Sequence, residues 1–145
     1  MKTVKFRGKR IDNNEWAYGY YFYKWRTKQY AIHVHESEGI LADKEFEVIP
    51  ETVGQFTGLQ DSKGKDIYEG NIVKQTAQGY YNDEHMSRTY IGEVVIIASK
   101  GACLKRPKYM DEITGKNNKT DHYVNVAQYR SEVIGNIHED KNLLK

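Results

Sequence analysis

The fold is decided by the stretch IPETVGQFTGLQDSKGKDIYEGNIV, residues 49–73. Pro50 fixes its own φ and pushes Ile49 into an extended conformation, so the residues before it are predicted to end a strand. Gly54 and Gly58 separate the short apolar pieces that follow, and glycine is a poor helix former. The stretch therefore predicts short, bent strands rather than a helix.

Two tight turns divide this stretch. Residues 61–64 (Asp-Ser-Lys-Gly) predict the first, because Asp accepts hydrogen bonds from the backbone two residues on and Gly64 adopts positive φ without steric cost. Residues 69–71 (Glu-Gly-Asn) predict the second, which leads into a new strand. Corners of this kind are typical of small barrels. We therefore predict that residues 49–145 form an SH3-like barrel subdomain whose turns are structural.

The N-terminal part predicts an antiparallel β-meander over residues 1–48. Basic and apolar residues alternate at the start with the two-residue period of a half-exposed strand, and a turn follows at residues 12–14. Aromatic residues then fill both faces of a strand over residues 15–25, and another strand follows over 29–35. One face is expected to pack on the body of the protein and the other to be covered by a second subunit or a subdomain. We predict self-association through Trp16, Tyr18, Tyr20 and Phe22.

The remaining sequence indicates a mainly β protein with little helix. Residues 94–97 (Val-Val-Ile-Ile) are typical of a core strand. Residues 75–89 predict a polar insertion and residues 105–121 a charged loop, and the sequence leaves the structure of both segments open. Mean hydropathy is −0.80, with no run of 18 apolar residues, which predicts no membrane contact. The lone Cys103 and the absence of a signal-peptide core favour the cytoplasm.

Charge is distributed unevenly along the chain. Residues 1–30 hold eight Lys or Arg against two acidic residues, whereas residues 36–51 hold six acidic residues against one Lys. Blocks of opposite sign within one small protein suit self-association or internal pairing at least as well as a nucleic-acid partner.

Nucleic-acid binding is the alternative function. Lys5, Arg7 and Lys9 are predicted to line one face of the first strand, near Arg26 and Lys28 if the opening strands fold back on each other. Basic and aromatic residues interleaved on a sheet can hold phosphates and stack bases. The same basic face could instead meet the acidic segment of its own chain or of a neighbour.

Catalytic and metal sites have little support in the sequence. His33 and His35 share one strand face, but a metal site needs further ligands at suitable spacing. Cys103 could pair with His122 or His138, yet it lies in an apolar context in which an inert buried thiol is expected. The glycines are not followed by the Lys-Ser/Thr and helix of a phosphate-binding loop. We predict no enzyme activity, no cofactor and no metal.

Several pieces of the chain match the pattern of a known family: residues 6–9 (FRGK), 16–20 (WAYGY), 48–59 (VIPETVGQFTGL), Asp61, Gly64, Lys65, residues 67–70 (IYEG) and 133–139 (VIGNIHE). Through these pieces the chain resembles the YopX family of phage and prophage proteins from Gram-positive bacteria. The resemblance departs from the family pattern at Asn71, where Asp is usual, and in a larger polar segment after Lys74. It implies a phage-encoded, mostly β, oligomeric protein in the cytoplasm of a bacterial host, and it supplies no catalytic residues.

The function predicted from the sequence is that of a non-enzymatic, phage-encoded accessory protein. It is expected to form a homo-oligomer through the N-terminal sheet and to bind an unidentified host or phage protein through the C-terminal subdomain. Its biological role, the partner and the number of subunits stay open.

Overall fold

A computed structural model of the protein describes residues 5–34 and 44–145. These residues form twelve strands and three short 3₁₀ turns, which confirms a mainly β protein with little helix. The chain divides into two compact units, Met1–Phe56 and Thr57–Lys145. The domain boundary predicted between residues 48 and 49 stays a prediction.

The first unit contains the predicted antiparallel meander. Its strands follow one another in the sheet in the order β4-β3-β2-β1, and the start of β5 lies beside β1. His35, named above as a candidate ligand, lies outside the described residues. The strands are β1 Phe6–Lys9, β2 Trp16–Lys24, β3 Gln29–Val34, β4 Lys44–Glu47 and β5 Gly54–Gln60.

One face of this sheet holds the core of the first unit. Ala17, Ile32 and Val48 are buried at its centre. Around them pack the half-buried side chains of Phe6, Tyr21, Val34, Phe46 and Val53. Since side chains alternate between the faces of a strand, the neighbours of Ala17 along β2 lie on the opposite face.

The second unit has its own antiparallel sheet, with strand order β10-β9-β8-β7-β12 and β11 paired with β9. Its core is formed by the buried side chains of Ile67, Val73, Val94 and Leu104. The strands after β5 are β6 Asp66–Tyr68, β7 Asn71–Tyr81, β8 Glu84–Ile97, β9 Gly101–Asp111, β10 Asn117–Lys119, β11 Val124–Asn125 and β12 Ser131–Asn136.

The SH3-like barrel predicted for residues 49–145 is not confirmed. A barrel closes when its first and last strands pair, which removes the edges of the sheet. Within the described ranges, β10 and β12 end the strand path on opposite sides and no closed barrel forms. The two predicted turns are both present, with positive φ at Gly64 and Gly70.

The two polar segments of this unit, whose structure the sequence left open, are hairpins, so the charged loop expected for residues 105–121 is wrong. Strands β7 and β8 continue through residues 75–89, and Asn82 and Asp83 turn between them with φ of 50° and 64°. This is the pattern of a tight two-residue hairpin turn. Strand β9 likewise runs to Asp111, whose carboxylate accepts backbone N–H groups of the turn before β10. Hydrogen bonds between paired strands join backbone groups, so segments rich in polar side chains can form strands, as these two do.

A bulge accommodates a proline inside this sheet. Pro107 is buried in β9, which has neighbours on both sides, and the pairing register shifts opposite it between Ile91 and Glu93. Proline cannot donate to the ladder, so it is tolerated within a sheet at a bulge. Gly92 leaves the room that the ring needs.

None of the helical segments in the described part of the chain has the length and apolar character required to cross a bilayer.

Candidate functional site

The pairing of β1 with β2 brings the predicted basic and aromatic residues onto one sheet face. Arg7 pairs with Tyr18, and Lys9 pairs with Trp16. Because paired residues point to the same side of a sheet, these four side chains share a face. The buried Ala17 lies between them in β2 and points to the core, so they lie on the face turned away from it.

The same face continues across β3 to β4. Tyr20 pairs with His33, which pairs in turn with Glu45; Phe22 pairs with Ala31, which pairs with Glu47. The face therefore changes from basic at β1, through aromatic at β2, to acidic at β4. We call it the aromatic face, formed by Lys5, Arg7, Lys9, Trp16, Tyr18, Tyr20, Phe22, His33, Glu45 and Glu47.

The cations at the β1 end lie over aromatic rings. The Arg7 guanidinium is 4.2 Å from the centre of the Trp16 ring, and Lys9 Nζ is 5.6 Å from that ring. Lys5 Nζ is 5.9 Å from the Tyr18 ring. These distances are those of cation–π contacts, which are strongest where water is excluded. Arg7 is only 6% exposed, so its contact belongs to the stronger class.

At the β4 end, carboxylates interact with polar side chains of β2 and β3. Lys24 forms an ion pair with Glu45. Gln29 Nε2 donates a hydrogen bond to Glu47 Oε2 at 3.1 Å. The sequence analysis counted both among the acidic residues of segment 36–51 but did not place them on this face, although the alternation in β4 could have indicated that they share one side.

Two rings in the middle of the aromatic face are open to solvent. Tyr18 is 44% exposed and Tyr20 is 46% exposed, whereas Trp16 and Phe22 are half-buried. All four predicted self-association residues thus lie together on one face, and the chain itself leaves the two tyrosines largely uncovered. Tyr23 on the opposite face is similarly exposed, at 47%, and its ring tilts against that of Tyr30 at 4.8 Å between centres.

The five basic residues proposed for nucleic-acid binding are not brought together. Arg26 and Lys28 lie in the turn between β2 and β3, where Arg26 is 5.2 Å from the Trp25 ring and Lys28 has φ of 56°. The β1 residues pair with the other end of β2, at Trp16 to Gly19. Seven residues of extended chain from Gly19 to Arg26 span about 20 Å. The two groups are therefore separated along the sheet.

Groups considered for catalysis and metal binding are dispersed. Cys103 is fully buried in β9, with the Asn125 amide nitrogen 3.6 Å from its Sγ. His122 is exposed and lies beside Asp121, 3.3 Å away. Across the ranges 5–34 and 44–145, no three or more His, Cys, Asp or Glu residues cluster in a way that could hold a metal ion.

Comparison with protein families identifies the chain. The sequence model of the family described as YopX protein matches residues 5–145, nearly the whole chain. The chain belongs to the YopX family. This confirms the resemblance found in the sequence, and the match covers both units of this YopX chain except residues 1–4. Comparison with curated proteins found no match.

Proposed function

We propose that this YopX-family protein is a non-enzymatic accessory protein of phage origin that self-associates through its aromatic face. The observation that supports this most directly is the exposure of Tyr18 and Tyr20 between a basic and an acidic margin on one sheet face. Large exposed aromatic side chains are enriched at protein interfaces because they bury much area at low entropic cost.

The distribution of charge suits a second copy of the same chain. In a twofold interface, residue i contacts residue j, and j contacts i. With a twofold axis between β2 and β3, the β1 margin of one copy lies over the β4 margin of the other. Lys5, which lies at the level of Tyr20 along the strands, would then face Glu45 across the interface. The axis itself would pass near Tyr20, so that the tyrosines of the two copies form the centre of the contact.

Nucleic-acid binding on this face is the second candidate, favoured by cations interleaved with rings. Acidic residues on the same face weaken its attraction for phosphates. The separation of Arg26 and Lys28 from the β1 cations weakens it further. These features favour a second copy of the chain as the occupant of the face.

The proposal also includes an unidentified host or phage protein as a partner of the second unit. The end of the β7–β8 hairpin supports this. Strand β12 pairs with β7 only as far as Gln75, and β9 pairs with β8 only as far as Arg88. Beyond these points, residues 77–87 form an arm in which β7 and β8 pair with each other and with no other described strand. Tyr80 on this arm is 78% exposed.

Self-association is tested by light scattering coupled to size-exclusion chromatography over a micromolar concentration series. We expect the wild-type protein to be a dimer. The double variant Tyr18→Ser/Tyr20→Ser should shift it to a monomer. Tyr23→Ser is the matched control, because Tyr23 is equally exposed on the same strand but lies on the opposite face, and it should leave the dimer intact. A wild-type protein that stays monomeric throughout, or a double variant with unchanged mass, would refute the proposal.

A further inference from the structure

The second unit carries a groove of about 590 Å³ on one face of its sheet. The register explains how it is built. Lys74 on β7 pairs with Ile91 on β8, Ile91 pairs with Lys108 on β9, and Lys108 pairs with Lys119 on β10. Three lysines and an isoleucine therefore form one row across four adjacent strands, on the same face of the sheet.

The three lysines have no acidic partner among the described residues. None of them takes part in an ion pair with any of those residues, and Lys108 Nζ donates one hydrogen bond, to the Lys145 carbonyl oxygen at 2.8 Å. Glu132 continues the row on β12, where it pairs with Lys74, but its carboxylate is held by Lys63 at 2.8 Å. The side-chain charges of Lys74 and Lys119 are thus available to a ligand, and Lys108 between them would have to exchange its bond to Lys145 for a ligand contact.

The rest of the groove combines apolar and hydrogen-bonding groups. In the next row, Thr89 pairs with Met110, which pairs with Asn117. Ile91 and Met110 both line the groove and provide apolar surface. Glu112 is the acidic residue in the lining. Its carboxylate accepts a hydrogen bond from the Thr89 hydroxyl at 2.6 Å and forms no ion pair with the three lysines.

We propose that this groove binds single-stranded nucleic acid, with phosphates along the lysine row. Neighbouring strands are about 4.8 Å apart, so the row from Lys74 to Lys119 spans about 14 Å and is too long for one phosphate group. A chain of phosphates matches a line of cations better than a single small anion does. Positively charged grooves on sheet surfaces follow the backbone of single strands. Ile91 and Met110 offer apolar surface beside the lysine row for the exposed bases.

This site is distinct from the five basic residues considered in the N-terminal sheet. There, the β1 cations lie over aromatic rings and acidic residues share the face. Here, the lysines form no ion pair with an acidic side chain of the described residues, and the groove offers space beside them. The two surfaces belong to different units, so binding to each can be tested with substitutions that leave the other surface unchanged.

The test is fluorescence anisotropy of a labelled oligothymidylate against the full-length protein over a series of salt concentrations. With three phosphate contacts, a plot of log affinity against log salt should have a slope of about −2. Each single variant, Lys74→Gln, Lys108→Gln or Lys119→Gln, should reduce the magnitude of that slope by about 0.7. The triple Gln variant should lose binding at moderate salt.

Two controls make the outcome decisive. Lys100→Gln removes an exposed lysine at the far end of β8 and should leave both affinity and slope unchanged. The triple Lys→Arg variant keeps the charge and should keep the slope, which separates loss of the site from loss of the fold. The proposal is overturned if the wild type does not bind at low salt, if the triple Gln variant binds as well as the wild type, or if polyglutamate or anionic vesicles bind equally well.

Discussion

Asp61 Oδ2 accepts a hydrogen bond from the backbone N–H of Val133 at 2.9 Å, across 72 residues of sequence. The other carboxylate oxygen accepts the backbone N–H groups of Lys63 and Lys65, both at 2.9 Å. One buried side chain therefore closes the turn between β5 and β6 and also fixes that turn to β12. Within the stretch of residues 49–73, Asp61 thus joins a local turn to a strand near the other end of the chain.

The hydrogen bonds of Asp61 predict a pH-dependent stability. Burial alone would raise the pKa of this carboxyl, but the backbone N–H groups of Val133, Lys65 and Lys63 outweigh it, and the pKa lies below the ordinary 3.8. A depressed pKa stabilises the fold above the unfolded-state value, and this contribution disappears as pH falls through the folded-state value. Asp61→Asn should therefore lower the free energy of unfolding by about 1–3 kcal/mol at neutral pH.

The measurement is urea unfolding of wild type and Asp61→Asn at neutral pH and at successively lower pH. The difference between them should shrink below the unfolded-state pKa. Asp83→Asn, in an exposed hairpin turn, is the control and should track the wild type at every pH. A gap between wild type and Asp61→Asn that stays constant with pH would contradict the assigned role.

An Asp introduced at position 71 should have the opposite pH dependence to Asp61: its side chain should become less destabilising as pH falls. The side-chain oxygen of Asn71 accepts the Tyr68 N–H at 2.7 Å, and its amide nitrogen donates to the Gly135 carbonyl at 3.4 Å. Asp in this place would keep the first bond but turn a charged oxygen toward a carbonyl in a buried site. Asn71→Asp should cost about 1–3 kcal/mol at neutral pH. Protonation restores a donor, so the deficit relative to wild type at the same pH should decrease in acid. Equal stability at neutral pH would refute this.

The sequence predicted the local features of this region better than its long-range ones. The turn at residues 61–64 followed from Asp and Gly chemistry, which acts over a few residues. The bond from Asp61 to Val133 could not be read in the same way, because it depends on where β12 lies. For the same reason the strands and turns predicted for residues 49–145 could be read from the sequence, whereas the predicted closure of the sheet into an SH3-like barrel depends on long-range pairing and is not confirmed.

The two candidate surfaces show the same difference between local patterns, which the sequence predicts, and strand pairing, which it does not. Alternation along β2 predicted that Trp16, Tyr18, Tyr20 and Phe22 share a face. The lysine row of the second unit could not be predicted, since its members come from three strands and two of them, Lys108 and Lys119, lie in the segment predicted as a charged loop. Only the pairing register brings Lys74, Lys108 and Lys119 into line.

The bulge at Pro107 predicts that Gly92 tolerates no side chain. A Cβ at this position would lie 2.9 Å from Pro107 Cβ and 3.2 Å from Leu104 Cβ. Gly92→Ala should therefore lower the free energy of unfolding by about 1–3 kcal/mol, the usual cost of overpacking. Gly79→Ala, in the exposed arm of the neighbouring strand, meets no atom within 4 Å and should stay within about 0.5 kcal/mol of wild type. Equal effects of the two variants in urea unfolding would rule out the packing argument.

The contact between Arg7 and Trp16 predicts the last measurable difference. The guanidinium lies 4.2 Å from the ring centre and is nearly inaccessible to water, whereas Arg26 lies 5.2 Å from the exposed Trp25 ring. A desolvated cation–π contact is worth about 2 kcal/mol, against about 0.5–1 kcal/mol at an exposed site. Arg7→Ala also removes the packing of the side-chain stem. In thermal and urea unfolding, Arg7→Ala should therefore destabilise the protein by at least about 2 kcal/mol and Arg26→Ala by less than about 1 kcal/mol. If the two variants lose equal stability, the buried stack does not stabilise the β1–β2 pair as argued.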